Sequence, residues 1–517
     1  MRQIRILWVD DEVGVLRSHI LFLKEKGYET DTCPGGTDAI MMVQEKPYDI
    51  IFLDEHMPGL SGIETLRRIK ELRPSIPVVM ITKSEEEEIM EAAIGSQIAD
   101  YLIKPVKPQQ ILLSLKKILD VDTIVSKQTT SVFRGEFGPI AEMISAARDF
   151  GQWSDLYRKL VFWQIELTRS SDTGMREVLR MQDYDANRAF GRFIEKNYLN
   201  WLSPSATQKP LLSPAVMSKR VFPLIRKDSP LFCIIIDNMR LDQWQTMAGD
   251  LAPMLRTVTE ELYMSILPTA TQYSRNALFA GLMPVAINNS TPEYWIKDHE
   301  DEGKNLFEDK LFARQLQREG INIKWSYNKI GTEAAGKAVN DKLPQLLTND
   351  LNILVYNFVD MLSHARTEVD LIREMTGDEA SWLTLTHTWF VHSPLFELLK
   401  QAASRGARFV FTTDHGSISV NRPVKVVGDR QTSMNLRYKT GRNLDYNPKE
   451  VFEITNPAKA GLPMTNISSR YIFARENDFL VYPNNFNQVV TYYKDSLQHG
   501  GISMQEMMLP LVYLEPV

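Results

Sequence analysis

Four short apolar stretches of the chain each end in a residue that can handle a phosphoryl group. Asp10 and Asp11 follow RILWV, Asp54 follows IIFL, Thr82 follows VVMI, and Lys104 follows DYLI. Three carboxylates gathered in one place repel one another, so the set calls for a hard cation. Magnesium takes carboxylate, carbonyl and water oxygens and would leave Asp54 as a nucleophile toward a phosphoryl donor. Lys104 would pair with the transferred oxygens, and Thr82 would donate a hydroxyl hydrogen bond to one of them. Each residue alone is an ordinary polar strand end. In this order they read as one phosphoryl-accepting site.

A second set lies in the last 300 or so residues. LFCIIID ends in Asp237, NILVYNFVD ends in Asp360, and ARFVFTTDHG ends in Asp414 and His415. His364 stands four residues after Asp360, a step that puts both on one side if the chain is helical there. The chain has eight histidines, and His499 is carried by a late loop beside Gly500 and Gly501. Mixed aspartate and histidine ligands favour zinc over magnesium, with manganese as the alternative. Six such ligands suit a pair of ions, which at about 4 Å apart hold the attacking and leaving oxygens of one phosphorus centre. Thr271 is the candidate nucleophile. A threonine at a helix start also serves as a cap, but the same place presents helix-end amides to an anion, and a metal lowers the hydroxyl pKa. His56, His387 and His392 read as loop, surface or packing residues, and His19 and His299 have no partner pattern.

The elements that must position these residues follow from hydropathy. Strand patterns alternate with helices over residues 1–120, with helices expected at 13–26, 61–72 and 85–95 and from Pro108 onward. That rhythm predicts an α/β fold, a doubly wound (βα)5 unit with a parallel sheet, where functional residues gather outside the carboxyl ends of the strands. Residues 121–205 show no strand signal. Three stretches with helical spacing, separated by Gly151 and by a turn at 170–174, predict a three-helix bundle. Pro210 and Pro214 mark a linker, and residues 206–517 alternate strand and helix again as a C-terminal α/β domain with a largely parallel sheet.

Residues 1–120 resemble the receiver domain of bacterial response regulators. Lys104 is followed by Pro105, Tyr101 stands where the family has an aromatic switch residue, and Asp54 opens the acid-to-proline-glycine turn DEHMPG. The resemblance implies magnesium at Asp10 and Asp11, phosphoryl transfer from a histidine kinase to Asp54, and a switch through Thr82 and Lys104. The acidic run at 85–88 reads as a solvated helix start.

The second set resembles the alkaline phosphatase superfamily, nearest its nucleotide pyrophosphatase and phosphodiesterase branch and the PglZ group. PTATQYSRNALFAGLMP resembles the family's nucleophile motif, and Asp414-His415-Gly416 is the most specific short match. The resemblance implies one zinc on Asp360, His364 and His499, and a second on Asp237, Asp414, His415 and the nucleophilic Thr271. Threonine there argues against sulfatases. No arginine stands out for phosphate binding, which favours a diesterase over a monoesterase. Asn288 or Asn289 is a candidate substrate contact, against ordinary loop capping. The order receiver, helical bundle, phosphatase-like domain resembles response regulators of Bacteroidota associated with type IX secretion and gliding. It implies phosphorylation-dependent homodimers, phosphodiesterase action on nucleotides or oligonucleotides, and contact with a sigma factor.

Bulk properties bound the alternatives. At 517 residues the chain fits several folding units, and a formal charge of −6 gives no bulk drive toward nucleic acid or membrane. Two cysteines far apart exclude a disulfide framework and, with no signal peptide or membrane-spanning run, point to the cytoplasm. No helix-turn-helix pattern or concentrated basic face marks a duplex DNA-binding domain. The competing reading is a non-enzymatic signalling adaptor whose metal site is structural or vestigial.

Overall fold

The computed structural model describes residues 4–83, 98–119, 121–168, 172–203, 205–296, 305–428, 432–464 and 468–517. The helix expected at 85–95, its acidic run and His299 lie outside them. The chain divides into two units, Met1–Gln128 and Thr129–Val517.

In the first unit five strands, β1 (Arg5–Val9), β2 (Glu29–Cys33), β3 (Ile50–Asp54), β4 (Val78–Thr82) and β5 (Asp100–Ile103), pair in parallel in the order β2-β1-β3-β4-β5. IIFLD and VVMIT are buried at every position, as strands covered on both faces must be. Two apolar clusters result, one on each face of the sheet, and Trp8 packs on Phe52 with ring centroids 5.3 Å apart in one of them. The strand order reverses between β1 and β3, which opens a crevice at their carboxyl ends. Asp10 and Asp54 stand there. The helix predicted over 13–26 is a 3-10 turn, Val13–Leu16, followed by the helix Arg17–Glu25, and the helix Gly62–Leu72 begins with a reciprocal Ser61 and Glu64 capping box.

The second unit is built on a six-stranded sheet. Its strands are β6 (Leu231–Ile236), β7 (Leu255–Met264), β8 (Trp325–Ile330), β9 (Leu351–Tyr356), β10 (Arg408–Thr412) and a C-terminal strand, Met508–Pro516. The order is β7, the C-terminal strand, β10, β6, β9, β8. The last four run parallel, and the C-terminal strand is antiparallel to both its neighbours, so the sheet is mixed. β6, β9 and β10 are buried at every position and end on one side of the unit, which is where their acidic followers are delivered.

The three helices expected in the middle of the chain are Val121–Ala146, Phe150–Thr168 and Thr173–Trp201. Gly151 does not separate the first two. It sits at the start of the second, because Asp149 accepts a hydrogen bond from the Gln152 amide at 2.9 Å and sets the helix start ahead of it. From Phe133 onward the helical side chains share one apolar core with the sheet, in which Trp153, Tyr157, Phe190 and Tyr198 are buried together with β6 and β9. Burial of each such side chain contributes on the order of 2 kcal/mol. That binds the helical segment to the sheet of the second unit.

Candidate functional site

In the first unit Asp10, Asp11 and Asp54 each offer a carboxylate oxygen within 4.8 Å of the others. The Lys104 ammonium, delivered by β5, lies 2.8 Å from Asp10 Oδ2 and 2.8 Å from Asp54 Oδ2. One cation thus spans two buried carboxylates. The Glu12 amide donates to Asp10 Oδ1 at 2.9 Å and orients it. Burial pushes the Asp54 carboxyl up, with the hydrogen bond from Lys104 opposing it. Burial also disfavours the Lys104 charge, but its two carboxylate partners outweigh that and hold the ammonium above its usual range. Clustered carboxylate oxygens at a strand switch point fit a hard divalent ion such as magnesium. Thr82 is buried at the end of β4, next to β3, and Tyr101 is half-buried on β5 against the core. His56 is exposed in the turn after Asp54.

In the second unit the structure brings six predicted residues into two groups. Asp360, His364 and His499 form one, and Asp237, Asp414 and His415 the other, each with ligand atoms within 4.8 Å of one another. Asp360 and His364 lie one turn apart on the helix Phe358–Glu368, with Nε2 3.6 Å from Oδ2. Asp237 and Asp414 follow β6 and β10, which are adjacent and parallel. His415 Nε2 lies 3.7 Å from Asp237 Oδ1 and 3.6 Å from Asp414 Oδ2. His499 Nε2 lies 4.0 Å from Asp360 Oδ1, and the two imidazoles stack with centroids 4.2 Å apart and planes 14° apart. The two groups therefore meet through their histidines.

Backbone carbonyls set both rings. His415 Nδ1 lies 3.2 Å from the Gly416 carbonyl oxygen, and His499 Nδ1 lies 3.1 Å from that of Thr269. A carbonyl can only accept, so each Nδ1 carries the proton and each Nε2 offers a lone pair. Burial pushes both imidazoles down to about 4, which keeps them neutral at neutral pH. Asp414 is fully buried, and burial with the neighbouring Asp237 charge pushes its carboxyl well up. Burial, followed by the Asp237 charge, likewise raises Asp360. Burial opposes the Asp237 charge as well, yet Arg275 beside it more than compensates and holds this carboxyl below its usual range.

Asp237 Oδ1 and both oxygens of Asp414 are buried without a hydrogen-bond partner. Orphaned carboxylate oxygens in a protein interior are costly, and beside neutral imidazole lone pairs they fit a soft-to-borderline divalent ion such as zinc. Thr271 is the first residue of the helix Thr271–Ala280, and its Oγ1 lies 2.9 Å from His415 Nε2. It is not a cap: Ala270 holds that place, and no side chain caps this helix. The hydroxyl faces the acidic and imidazole groups; the Tyr273 and Ser274 amides donate to the Ala270 carbonyl at 2.8 and 2.9 Å, which leaves those of Thr271 and Gln272 for an anion.

Two neighbours escaped sequence reasoning. Arg275, one turn beyond Thr271, is 1% exposed and sets Nη1 2.8 Å from Asp237 Oδ2 and Nε 2.7 Å from Glu308 Oε1. Its only sequence signal is that it is the one charged residue of that helix. Asn238, in the left-handed region at φ 63°, donates from Nδ2 to Asp360 Oδ1 at 3.2 Å and to Ser363 Oγ at 3.3 Å. Asparagine tolerates that conformation, and its place directly after a strand-end acid was the clue. Asn288 and Asn289 lie on the short helix Pro284–Ser290, and among the described residues neither is hydrogen-bonded to the cluster.

Comparison with known proteins agrees with this layout. Residues 6–116 match the response regulator receiver domain, residues 123–202 the PorX response regulator linker domain, and residues 216–514 the BREX system PglZ alkaline phosphatase-like domain. The transcriptional regulatory protein ResD of Bacillus subtilis is 36% identical over 115 residues, 22% of this chain and 48% of ResD. The transcriptional regulatory protein ZraR of Escherichia coli O157:H7 is 32% identical over 139 residues, 27% of this chain and 32% of ZraR. The chain thus spans half or less of the length of these curated relatives. A CheY-like receiver domain protein from Methanospirillum hungatei, in its crystal structure, is 27% identical and covers 23% of this chain and 95% of its own, with a TM-score of 0.23. Receiver domains accept phosphoryl groups from histidine kinases, and both domain classes generally use divalent metals. Among the described residues no helix is long and apolar enough to cross a membrane. The match over residues 216–514 takes in more than half of the sequence, and the chain belongs to the family of PglZ alkaline phosphatase-like domains.

Proposed function

We propose that this protein is a two-component response regulator, phosphorylated on Asp54, whose output is a zinc-dependent phosphodiesterase with Thr271 as nucleophile. The observation that carries the reading is the Thr271 hydroxyl 2.9 Å from His415 Nε2, at an uncapped helix start beside the Asp237, Asp414 and His415 group of metal-type ligands. Asp360, His364 and His499 would hold one zinc, and Asp237, Asp414 and His415, with Thr271, the other. When bound, zinc supplies Lewis-acid charge that lowers the hydroxyl pKa and offsets charge developing on the phosphoryl oxygens.

The chain's own residues account for the remaining steps. The Thr271 oxygen attacks phosphorus and displaces one alcohol of the diester, which leaves a threonyl phosphate ester. Water then displaces Thr271 and regenerates its hydroxyl. The Thr271 and Gln272 amides, at the helix start, hold the anionic oxygens. Arg275 is engaged by Asp237 and Glu308, so it offers little to the extra charge of a monoester, which favours diester substrates such as nucleotides or oligonucleotides. In the first unit Asp10 and Asp11 would hold magnesium, Lys104 and Thr82 would receive the phosphoryl group, and Tyr101 would report the change.

The match of residues 123–202 to the PorX linker supports a further part of this reading. It is cytoplasmic control of type IX secretion through a phosphorylation-dependent homodimer and a sigma-factor partner. The deciding experiment measures zinc content and hydrolysis of bis(p-nitrophenyl) phosphate for the native chain and Thr271→Ala. Two zinc per chain with loss of turnover in the variant is expected. Absence of tightly bound zinc, or unchanged turnover, would sink the proposal.

A further inference from the structure

The helix Thr173–Trp201 touches two of the three segments that carry the groups around Thr271 and reaches the third through Gln505. Tyr198 is fully buried, and its hydroxyl oxygen accepts from the Leu267 amide at 2.8 Å, four residues before Thr271. Asn187, 1% exposed, accepts at Oδ1 from the Met504 amide at 2.8 Å, five residues after His499. Asp183 accepts from Gln505 Nε2 at 3.0 and 3.1 Å. The Gln505 carbonyl in turn packs so close to Gly416 that a Cβ there would come within 2.1 Å of it. Gly416 is the residue whose carbonyl sets the His415 ring.

Asp183, Asn187 and Tyr198 fall on one face, by a step of four and then of eleven, three helical turns. The two segments they grip are also linked to each other. Thr269 accepts His499 Nδ1 at its carbonyl, and its hydroxyl accepts from the Gly500 amide at 3.0 Å and donates to the Gly501 carbonyl at 3.0 Å. Gly500 has φ 122°, and a Cβ there would come within 2.7 Å of Tyr438 and 2.8 Å of Asn435, so this position requires glycine. The loop is fixed from two sides, by Thr269 and by the helix.

We infer that Tyr198 and Asn187, in the linker segment, are positioning residues for the Thr271, His415 and His499 groups. The inference rests on the phosphodiesterase reading for its consequence. Its physical content is that the two hydrogen bonds fix where the stacked imidazoles sit. Simple packing would give these residues a stabilising role without that effect. A hydrogen bond to a ligand-bearing loop, in contrast, acts as outer-shell partners of a metal do.

The test uses the full chain with Tyr198→Phe and Asn187→Leu, each removing one acceptor, and Phe190→Leu as control. Phe190, on the same helix as Tyr198 and Asn187, packs on Trp153 of the helix Phe150–Thr168 without a polar contact to these loops. The readouts are the imidazole 1H–13C NMR signals of metal-free protein and the rate of zinc loss to a chelator. Both acceptor variants should move the His415 and His499 signals and speed zinc loss by about tenfold or more. The control should lose stability and change neither. Unmoved imidazole signals in the acceptor variants, or equal movement in the control, overturns the inference. A native chain that retains no zinc defeats the hydrolase reading instead, and the metal-free imidazole signals still decide the positioning.

Discussion

Thr271 Oγ1 stands 2.9 Å from His415 Nε2, and that ring is turned to meet it by the Gly416 carbonyl at its other nitrogen. A hydroxyl held against a lone pair and not against a helix amide is oriented as the proposed nucleophile requires. Thr271→Ala should lower phosphodiester turnover roughly 10³-fold or more with zinc uptake preserved, and Thr271→Ser should keep part of it. Steady-state kinetics beside metal analysis distinguishes loss of the nucleophile from loss of the metal.

Asp414 gives a prediction whose sign depends on zinc. Both its oxygens are buried without partners, next to the Asp237 charge. In metal-free protein, Asp414→Asn should raise stability by about 1–3 kcal/mol, because folding must either bury the carboxylate charge or take up a proton, and a neutral amide needs neither. With excess zinc the order should invert, since the native chain gains binding energy that the variant has lost. Thermal melts with chelator and with zinc show whether the curves cross.

The Arg275 guanidinium is shared by Asp237 and Glu308, and Glu308 also accepts from the Tyr327 hydroxyl and pairs with Lys329 at 3.4 Å. Removing one member of such a buried network strands the others. Arg275→Met should cost about 3–5 kcal/mol, and Arg275→Met with Glu308→Leu less than the sum of the two single changes. Urea unfolding of the three variants measures it.

Lys439 sets a pH dependence. It is 1% exposed, donates to the Ser433 and Met434 carbonyls at 3.2 and 3.3 Å, and lies over the Tyr482 ring. Burial pushes its ammonium down to about 7. The unfolded chain, with the ordinary value of 10.5, binds this proton more tightly, so the group opposes folding fully below pH 7 and the opposition fades as pH rises toward 10.5. Stability should rise by up to about 1.4 kcal/mol per pH unit across that window in the native chain relative to Lys439→Met. Paired denaturation series from pH 7 to 10 test the slope.

In the first unit, Lys104 neutralises part of the charge of Asp10 and Asp54 from 2.8 Å. Acetyl phosphate with magnesium should label the native chain and leave Asp54→Asn unlabelled. Lys104→Ala should still bind magnesium, since the carboxylates remain, but lose the stabilising contact to the phosphoryl group. Phosphate-affinity electrophoresis and magnesium titration separate the two effects.

The acids that end β1, β3, β6 and β10 were legible because each strand is a continuous apolar run that stops at a charge. Asp360 and His364 were legible from a step of four. β2 was not, because ETDTC is a polar edge strand whose pairing with β1 is set by tertiary contact. The antiparallel C-terminal strand was hidden for a similar reason: it pairs with β7, some 250 residues earlier. Arg275 and Asn238 act on partners 38 and 122 positions away, and Tyr198 on one 69 away. Local pattern carries the ligands, and long-range packing carries the groups that orient them.

The core shared by the three middle helices and the sheet bears on how such a protein can be rebuilt. Anyone exchanging the input half for another sensor would naturally splice at the proline-rich stretch near residue 205. That junction would strip Trp153, Phe190 and Tyr198 from the sheet they cover and expose its apolar face to solvent. A chimera spliced near residue 128, inside the helix Val121–Ala146, keeps the covered sheet whole. The exchangeable cassette therefore ends within a helix, and the linker by composition belongs to the output by inheritance.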